Sequence, residues 1–208
     1  MDGVFITGTD TSVGKTVVAA LLALGWPQAR YWKPIQCGTA PSTDRQDVAR
    51  WTGLPPARLL PEAYCLPLPA SPNVAAAAAG VEIQPERVRL PAGAGPWVVE
   101  GAGGVLVPIN PRHTMLDLMA WLGLPVVLVA RTQLGTINHT LLSLQALRQR
   151  GLSVAALVLN GEPVATTTAT LRAWAEVERL IELPPLAELN RESLLTAFAR
   201  HFQEWTHG

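Results

Sequence analysis

The sequence has few charged residues, no basic run and no long apolar segment. Only 15% of its 208 residues are charged, the formal net charge is zero, and 49% are hydrophobic. Proteins that bind nucleic acid usually carry clustered basic residues, so the lack of a basic run argues against such a partner. No segment supplies about 18 uninterrupted apolar residues, which argues against a membrane span. We therefore expect a globular protein that binds neither nucleic acid nor membranes.

Cysteine is also scarce. Cys37 and Cys65 are too few for a disulfide framework, and their spacing matches no zinc-binding pattern. The first residues lack the basic and apolar regions of a secretory signal peptide. These observations favour the reducing cytoplasm. The length fits a single domain spanning residues 1–208.

Lysine is almost absent. Lys15 and Lys33 are the only lysines among 16 basic side chains, and the others are arginines. A biased genome composition would replace lysine by arginine wherever either residue serves. Under that interpretation, the two remaining lysines mark positions that need a compact ammonium group.

Short apolar segments alternate along the chain with longer segments of helical character. The apolar runs that predict buried strands lie at residues 4–7, 31–35, 97–100, 126–130 and 154–159. The segments that predict helices lie at residues 15–24, 46–51, 73–79, 137–150, 166–178 and 192–205. This alternation is typical of parallel βαβ units. The predicted fold class is therefore α/β, a doubly wound, mostly parallel sheet with helices on both faces, like that of P-loop NTPases.

Ligands of doubly wound sheets bind at the carboxyl ends of the strands. The polar or glycine-rich segments after Thr7, Lys33, Glu100 and Asn160 therefore belong at one edge of the sheet. The proline-rich stretch at residues 55–96 is expected to be a surface excursion around that site.

Residues 8–16, with the sequence GTDTSVGKT, have the parts of a phosphate-binding P-loop. The segment follows a predicted strand and precedes a predicted helix, as the motif requires. Lys15 would neutralise the β- and γ-phosphates, and the Thr16 hydroxyl would bind Mg²⁺. Five residues rather than four separate Gly8 from Gly14. A tight glycine-rich turn is the alternative interpretation.

Lys33 and Glu100 lie at the ends of two further predicted strands, since Pro34 is expected to close the strand at residues 31–35. Lys33 is a candidate second cation for phosphate or an anionic intermediate; alternatively it is a surface lysine packed beside Trp32. Glu100 precedes Gly101-Ala102-Gly103-Gly104, at the place where a P-loop enzyme holds its metal. Mg²⁺ prefers such hard oxygen ligands. A strand end followed by a simple turn is the alternative for Glu100.

Asp44 and Asp47 are both candidates for a second metal carboxylate, and both are candidates for capping residues of the following helix. Of the two we prefer Asp47. Thr136 is expected to be the N-cap of the long helix at residues 137–150, where free N–H groups would receive a carboxylate. Capping alone does not account for Asn138 and His139.

Four sequence blocks resemble dethiobiotin synthetases, in the same order along the chain. They are the P-loop with its five-residue gap, Lys33-Pro34 with Cys37-Gly38, Glu100-Gly101-Ala102-Gly103-Gly104, and Leu134-Gly135-Thr136-Ile137-Asn138-His139. The resemblance implies a homodimeric cyclo-ligase that depends on Mg²⁺ and ATP. Such an enzyme converts 7,8-diaminopelargonate and CO₂ (or bicarbonate) into dethiobiotin, ADP and phosphate. The intermediates are a carbamate and a carbamic-phosphoric anhydride.

The resemblance also implies roles for individual residues. Lys15 and Lys33 would be catalytic, and Thr16, Asp47 and Glu100 would hold the metal. The implied ATP-binding residues are Ser12, Val13, Gly14, Lys15, Thr16, Val17, Asp47, Glu100, Gly101, Ala102, Gly103, Asn160, Gly161, Pro184, Pro185 and Leu186. The implied substrate-binding residues are Thr11, Lys33 and Cys37, together with Leu134, Gly135 and Asn138 at a helix start contributed by the second subunit. The substrate site would then lie at the subunit interface.

Three residues depart from the family pattern. Ser12 stands where an acidic residue is common, Cys37 where a hydroxyl residue is common, and Asn73 where histidine is common. A thiol is a weaker hydrogen-bonding group than a hydroxyl. The departures concern individual substrate contacts rather than the reaction.

Two other functions compete with this interpretation. One is a related P-loop amide ligase, such as the synthetase portion of a cobyrinate amidase, but no segment resembles a glutamine amidotransferase. The other is a regulatory partitioning-type ATPase. Those ATPases carry an additional lysine early in the P-loop, and residues 8–14 contain none.

Overall fold

The computed structural model describes residues 3–90, 95–202 and 205 of the chain. Its strands are β1 (Gly3–Gly8), β2 (Arg30–Trp32), β3 (Ile35–Cys37), β4 (Leu59–Leu60), β5 (Tyr64–Leu66), β6 (Trp97–Gly104), β7 (Val126–Arg131), β8 (Val154–Asn160) and β9 (Leu180–Leu183). Seven of them form one sheet in the order β4-β2-β6-β1-β7-β8-β9, and β3 pairs with β5. Every pairing between these strands is parallel.

Helices cover both faces of the large sheet. They are α1 (Lys15–Gly25), α2 (Asp44–Thr52), α3 (Pro72–Ala78), α4 (Met115–Leu122), α5 (Thr136–Gln149), α6 (Ala165–Trp174) and α7 (Arg191–His201). Two 3₁₀ turns lie at Pro56–Arg58 and Pro85–Arg87. Helices α1, α2 and α7 pack on one another, and their buried residues belong to one core cluster, whereas α3, α4, α5 and α6 contribute to a second. The predicted fold class is confirmed.

The strands are buried because each face of the sheet meets a layer of helices. Along β1, Val4 and Ile6 point into one core cluster and Phe5 into the other. All six residues of β1 are buried. A strand buried on both faces needs a continuous apolar run, which explains why the sequence lacks alternation here.

The second predicted strand, at residues 31–35, is divided in the structure. Strand β2 ends at Trp32, and β3 begins at Ile35 in the smaller sheet. Pro34 has no N–H group and cannot continue the hydrogen-bonding ladder. Its carbonyl instead accepts hydrogen bonds from the backbone of Ala63 and Tyr64. Lys33 therefore lies at the junction between the two sheets.

Several element bounds differ from the predictions. Strand β6 continues through Gly104, helix α6 ends at Trp174, and helix α7 ends at His201. The part of the last predicted helix at residues 203–204 lies outside the described residues. Helix α5 begins at Thr136 and its N-cap is Gly135, so the predicted N-cap is shifted by one residue. Helix α4 and strand β9 were not predicted.

Strand β1 lies between β6 and β7. The strand order therefore reverses at β1, because β2 and β4 lie on one side of it and β7, β8 and β9 on the other. The carboxyl ends of these parallel strands meet at one edge, where doubly wound proteins bind ligands. A sheet that includes strands from residue 3 to residue 183 agrees with one domain over residues 1–208, which stays a prediction. In the described part of the chain, no helix is long and apolar enough to cross a membrane.

Candidate active site

The loop between β1 and α1 contacts the side chain of Lys15, the first residue of α1. The Lys15 ammonium donates a hydrogen bond to the carbonyl of Asp10 over 2.8 Å. Gly14 has a φ of 97°, and a β-carbon there would lie 2.1 Å from Nδ2 of Asn160. Only glycine satisfies both conditions, because it tolerates positive φ and has no side chain. Helix α1 begins immediately afterwards, which directs its N-terminal N–H groups at an anion in the loop.

Asn160 connects this loop to the end of β8. Its Nδ2 donates a hydrogen bond to the carbonyl of Val13 over 3.0 Å. Within residues 3–90, 95–202 and 205, the amide oxygen of Asn160 accepts no hydrogen bond. The sequence placed Asn160 at the same edge as the loop, and the structure brings the two into contact.

Four side chains meet directly behind the loop. The Thr16 hydroxyl lies 2.7 Å from Oδ1 of Asp44 and 2.9 Å from Oε1 of Glu100. The Lys33 ammonium lies 2.6 Å from Oδ2 of Asp44 and 3.0 Å from Oε1 of Glu100. Glu100 is 1% exposed and Lys33 is 7% exposed. Because an unpaired buried charge is costly, the buried Lys33 ammonium and the buried Glu100 carboxylate stabilise one another in this cluster.

Tyr31 completes the hydrogen bonding of Glu100. Its hydroxyl donates to Oε2 of Glu100 over 2.8 Å. Burial raises the pKa of Tyr31 well above its ordinary value, and the negative charge of Glu100 raises it further. The phenol therefore stays protonated and remains a donor at physiological pH.

The pKa values of the two lysines move in opposite directions. Burial lowers the pKa of Lys33, but Glu100 and Asp44 outweigh burial, so the net shift is upward. Burial raises the pKa of Asp44, but the charge of Lys33 and the hydrogen bonds to Asp44 together outweigh burial, so the net shift is downward. Burial lowers the pKa of Lys15 to about 8, since the more distant Glu100 offsets only part of the cost. Lys33 is thus a cation over a wide pH range, whereas Lys15 loses its charge more readily at mildly alkaline pH.

The structure brings Asp44, rather than the preferred Asp47, into this cluster. Asp44 is the first residue of α2, and its N–H donates to Oε1 of Gln36, which holds the helix start at the cluster. Asp47 instead accepts a hydrogen bond from Ser42 and forms an ion pair with Arg50 at 2.7 Å. Its carboxylate has no recorded contact with Thr16 or Lys33. The second carboxylate of the cluster is therefore Asp44.

A cavity of about 590 Å³ opens beside this cluster. The predicted site residues that line it are Thr11, Ser12, Gly14, Lys15, Thr16, Val17, Lys33, Cys37, Glu100, Ala102 and Gly103. The further lining residues are Asp44, Trp51, Pro69, Ala70, Ser71, Pro72 and Val107. The lining residues at positions 69–72 belong to the proline-rich stretch at residues 55–96, which therefore borders the cavity. Burial raises the pKa of the Cys37 thiol to about 11, so it is a neutral group at this wall.

Other predicted residues lie away from this cavity. Val13 and Gly101 are buried in the loop and in β6, and Gly161 follows β8 beside Thr132. Pro184, Pro185 and Leu186 line a separate cavity of about 470 Å³ along α7. Leu134, Gly135 and Asn138 are exposed at the start of α5 and do not line the 590 Å³ cavity.

The donor set fits Mg²⁺. Thr16 has one hydroxyl hydrogen but faces two carboxylate oxygens, so one of these oxygen–oxygen contacts lacks a hydrogen. A divalent cation between such oxygens would remove that conflict, and Mg²⁺ prefers hydroxyl, carboxylate and phosphate oxygens. In residues 3–90, 95–202 and 205, no group of three or more His, Cys, Asp or Glu residues is arranged to hold a metal. The remaining ligands would therefore come from phosphate and water.

Comparison with known proteins identifies a matching family model and several similar relatives. A family model described as an AAA domain matches residues 2–193. The ATP-dependent dethiobiotin synthetase of Rhodopseudomonas palustris (strain BisB5) is 50% identical over 199 residues, covering 96% of this chain and 93% of the relative. The protein of the same name from Novosphingobium aromaticivorans is 48% identical over 203 residues, covering 98% of each chain. That from Agrobacterium fabrum is 49% identical over 197 residues, covering 95% of this chain and 92% of the relative.

A solved structure shares the fold. It is a nucleotide-binding protein from Archaeoglobus fulgidus in complex with ADP, with a TM-score of 0.50 and 12% identity. The match covers 94% of this chain and 86% of that chain. At this identity the likeness supports the α/β fold and nothing finer.

The lowered pKa of Lys15 predicts proton uptake when nucleotide binds. The free lysine has a pKa of about 8, and bound phosphates raise it. At pH 8, binding should therefore take up about half a proton per site, falling toward zero at about pH 6.5, where Lys15 is already charged. Calorimetric titration of an ATP analogue in buffers of different ionisation enthalpy measures this uptake. Equal uptake by the Lys15→Arg variant at pH 8 would contradict the assignment.

The positions of the two aspartates predict different effects of the same substitution. Asp44→Asn should raise the Mg²⁺ concentration needed for tight nucleotide binding by about tenfold to a hundredfold, because it removes a charged oxygen ligand. Asp47→Asn is the matched control and should change it by less than about twofold, since exposed ion pairs contribute little. Fluorescence titrations with a nucleotide analogue at several Mg²⁺ concentrations compare the variants. A larger effect of Asp47→Asn than of Asp44→Asn would instead support Asp47 as the second metal carboxylate.

Proposed function

The chain belongs to the family of ATP-dependent dethiobiotin synthetases, and we propose that it joins CO₂ to 7,8-diaminopelargonate, forming dethiobiotin, ADP and phosphate. The observation that carries this proposal is the cluster of Thr16, Lys33, Asp44 and Glu100 behind a P-loop, at one end of a cavity of about 590 Å³. Such a cavity has room for a nucleotide phosphate chain next to a second, smaller substrate. Family membership decides against the partitioning-type ATPase and the amidotransferase-linked ligase.

The reaction divides into three steps that conserve atoms and charge. One substrate amine attacks CO₂, which forms a carbamate and releases a proton. A carbamate oxygen then attacks the γ-phosphorus of ATP, which forms a carbamic-phosphoric anhydride and releases ADP. The second amine attacks the carbamoyl carbon and loses a proton, so the ureido ring closes as the bond from that carbon to the phosphate oxygen breaks and phosphate leaves. Each step places negative charge on oxygen near the P-loop.

The two lysines suit different parts of this sequence. Lys15 extends along the loop, where it contacts the Asp10 carbonyl until phosphate replaces that acceptor. Lys33 lies deeper, with a charge fixed by Asp44 and Glu100. A preorganised cation stabilises developing charge without a cost of reorganisation during the reaction. Lys33 is therefore assigned to the oxygens shared between the carbamate and the transferred phosphoryl group.

Mg²⁺ would be held by Thr16, Asp44 and Glu100 together with phosphate oxygens of ATP. When bound, it supplies positive charge that stabilises the transferring phosphoryl group. The chain's own residues orient the nucleotide around it. The N–H groups at Gly14 and at the start of α1 would receive phosphate oxygens.

The finer contacts are proposals that follow from family membership. Adenine is expected near Asn160, Gly161 and residues 184–186, because β9 brings the last group beside the end of β8. The amine end of diaminopelargonate is expected near Thr11 and Cys37, which line the cavity. Since ATP and bicarbonate are both cytoplasmic metabolites, we place the reaction in the cytoplasm.

We also propose a homodimer with the substrate carboxylate at the interface. Three leucines near the start and outer face of α5 are exposed: Leu134 fully, Leu106 by 59% and Leu142 by 57%. A third cavity, of about 520 Å³, is lined by Thr11 of the P-loop and by His139 of α5. A second copy packed on these leucines would bring the α5 start of one subunit toward the other's substrate. A fully active monomer in sedimentation and activity measurements at one concentration would contradict this proposal.

The direct test is an activity assay on the purified protein. With Mg·ATP, bicarbonate and 7,8-diaminopelargonate, it should form dethiobiotin and one ADP per product, measured by mass spectrometry and a coupled ADP assay. Folded protein that binds ATP but forms no dethiobiotin would refute the proposed function.

Lys33→Ala should separate catalysis from nucleotide binding. It should lower kcat by about a hundredfold or more, as removal of a preorganised charge stabiliser does, while changing ATP affinity by less than about fivefold. Lys33→Arg is the matched control, which keeps the charge but not the compact ammonium. An unchanged kcat for Lys33→Ala would remove the catalytic role assigned to this residue.

A further inference from the structure

Tyr31 differs from the other recorded partners of Glu100 because it does not line the cavity. Thr16 and Lys33 contact Oε1 of Glu100, and both are lining residues. Tyr31 is fully buried, and its hydroxyl contacts the other oxygen, Oε2, over 2.8 Å. The carboxylate therefore has one oxygen directed at the cavity side and one directed into the protein.

The register of the sheet fixes this contact. Tyr31 on β2 pairs with Val98 on β6, and Glu100 follows Val98 by two residues on the same face of the sheet. Tyr31 and Val98 belong to the same core cluster. A phenol ring is long enough to reach the diagonal neighbour in a parallel pair. The position of the Tyr31 hydroxyl is thus fixed by two paired strands rather than by a loop.

The partners on the cavity side are expected to change during the reaction. Under the proposed function, Thr16 turns its oxygen to Mg²⁺ and Lys33 engages phosphoryl and carbamate oxygens. The contacts that these two residues make with Oε1 of Glu100 would then be shared with other groups, whereas the contact of Tyr31 with Oε2 would stay the same. The terminal torsion of a glutamate is broad and nearly two-fold, so an unrestrained carboxylate rotates and exchanges its two oxygens.

We propose that Tyr31 is a positioning residue, which holds Oε2 of Glu100 inside the protein and keeps Oε1 directed at the metal. The proposal rests on the proposed function, because it assumes that Glu100 receives Mg²⁺ with ATP. Partners of this kind orient metal ligands in many proteins, and their removal typically weakens metal affinity by about tenfold to a hundredfold.

The test replaces only the hydroxyl, in the Tyr31→Phe variant. Mn²⁺ serves as the probe, and its binding is measured by electron paramagnetic resonance in the presence of a non-hydrolysable ATP analogue. Tyr31→Phe should bind Mn²⁺ about tenfold or more weakly, while its affinity for the analogue without metal stays within about twofold. Tyr64→Phe is the matched control. It removes a phenol that accepts a hydrogen bond from the Gln84 backbone, outside the site, and should leave Mn²⁺ affinity unchanged.

The outcomes separate this inference from the proposed function. If wild-type protein binds Mn²⁺ with the analogue and Tyr31→Phe binds it equally well, the positioning role is wrong and the proposed function stands. If wild-type protein binds no Mn²⁺ with the analogue, both are overturned. A failed dethiobiotin assay with normal, Tyr31-dependent Mn²⁺ binding would refute only the proposed function.

A second measurement leaves the Tyr31 side chain intact, in case Tyr31→Phe does not fold. The chain has two tyrosines, so Tyr31 is the only tyrosine in the Tyr64→Phe variant. Tyrosine labelled with ¹³C at Cζ then gives one NMR signal that reports the hydrogen bond to Glu100. The signal should shift when Mg²⁺ is added to the protein with bound analogue. An unmoved signal under saturating Mg²⁺ would contradict the inference.

Discussion

The structure of the site depends on one buried carboxylate, that of Glu100. It lies on a central strand of the sheet and is 1% exposed, so its charge must be balanced by nearby donors. Tyr31 from β2, Lys33 from the end of β2 and Thr16 from α1 all supply such contacts. Three elements of the fold therefore meet at one group. Thr16 at the end of the P-loop and Lys33 keep their relative positions because both contact Glu100.

This arrangement gives two lysines different chemical properties in one cavity. Lys33 contacts both carboxylates and keeps its charge, whereas Lys15 contacts only a carbonyl and has a pKa lowered to about 8 by burial. One ammonium keeps its charge over a wide pH range, and the other titrates at mildly alkaline pH. A chain that otherwise uses arginine retains lysine at these two positions. The compact ammonium fits where a planar guanidinium would not.

Much of this site was predictable from strand ends and spacing. The P-loop, Lys33 and Glu100 were identified because each follows an apolar run, and parallel strands bring such ends together. The choice between Asp44 and Asp47 was not predictable. It depends on where α2 begins, which the capping box of Thr43 with Gln46 and the contact from Gln36 decide.

Other features required knowledge of strand pairing or of short elements. Tyr31 reaches Glu100 only because β2 pairs with β6 in a particular register, and no local pattern gives that register. Helix α4 is apolar without clear periodicity, and β9 has four residues, so neither gave a distinct signal. The separation of residues 184–186 from the main cavity likewise depends on the packing of α7.

The central claim, that the Glu100 cluster fixes the charge of one lysine while the other remains titratable, has a direct test. Lysine labelled with ¹³C at Cε gives two side-chain NMR signals in this protein, assigned with Lys15→Arg. The account predicts that the Lys15 signal titrates near pH 8 and that the Lys33 signal titrates above the ordinary lysine value of 10.5. Two signals that titrate together near the ordinary value would contradict it.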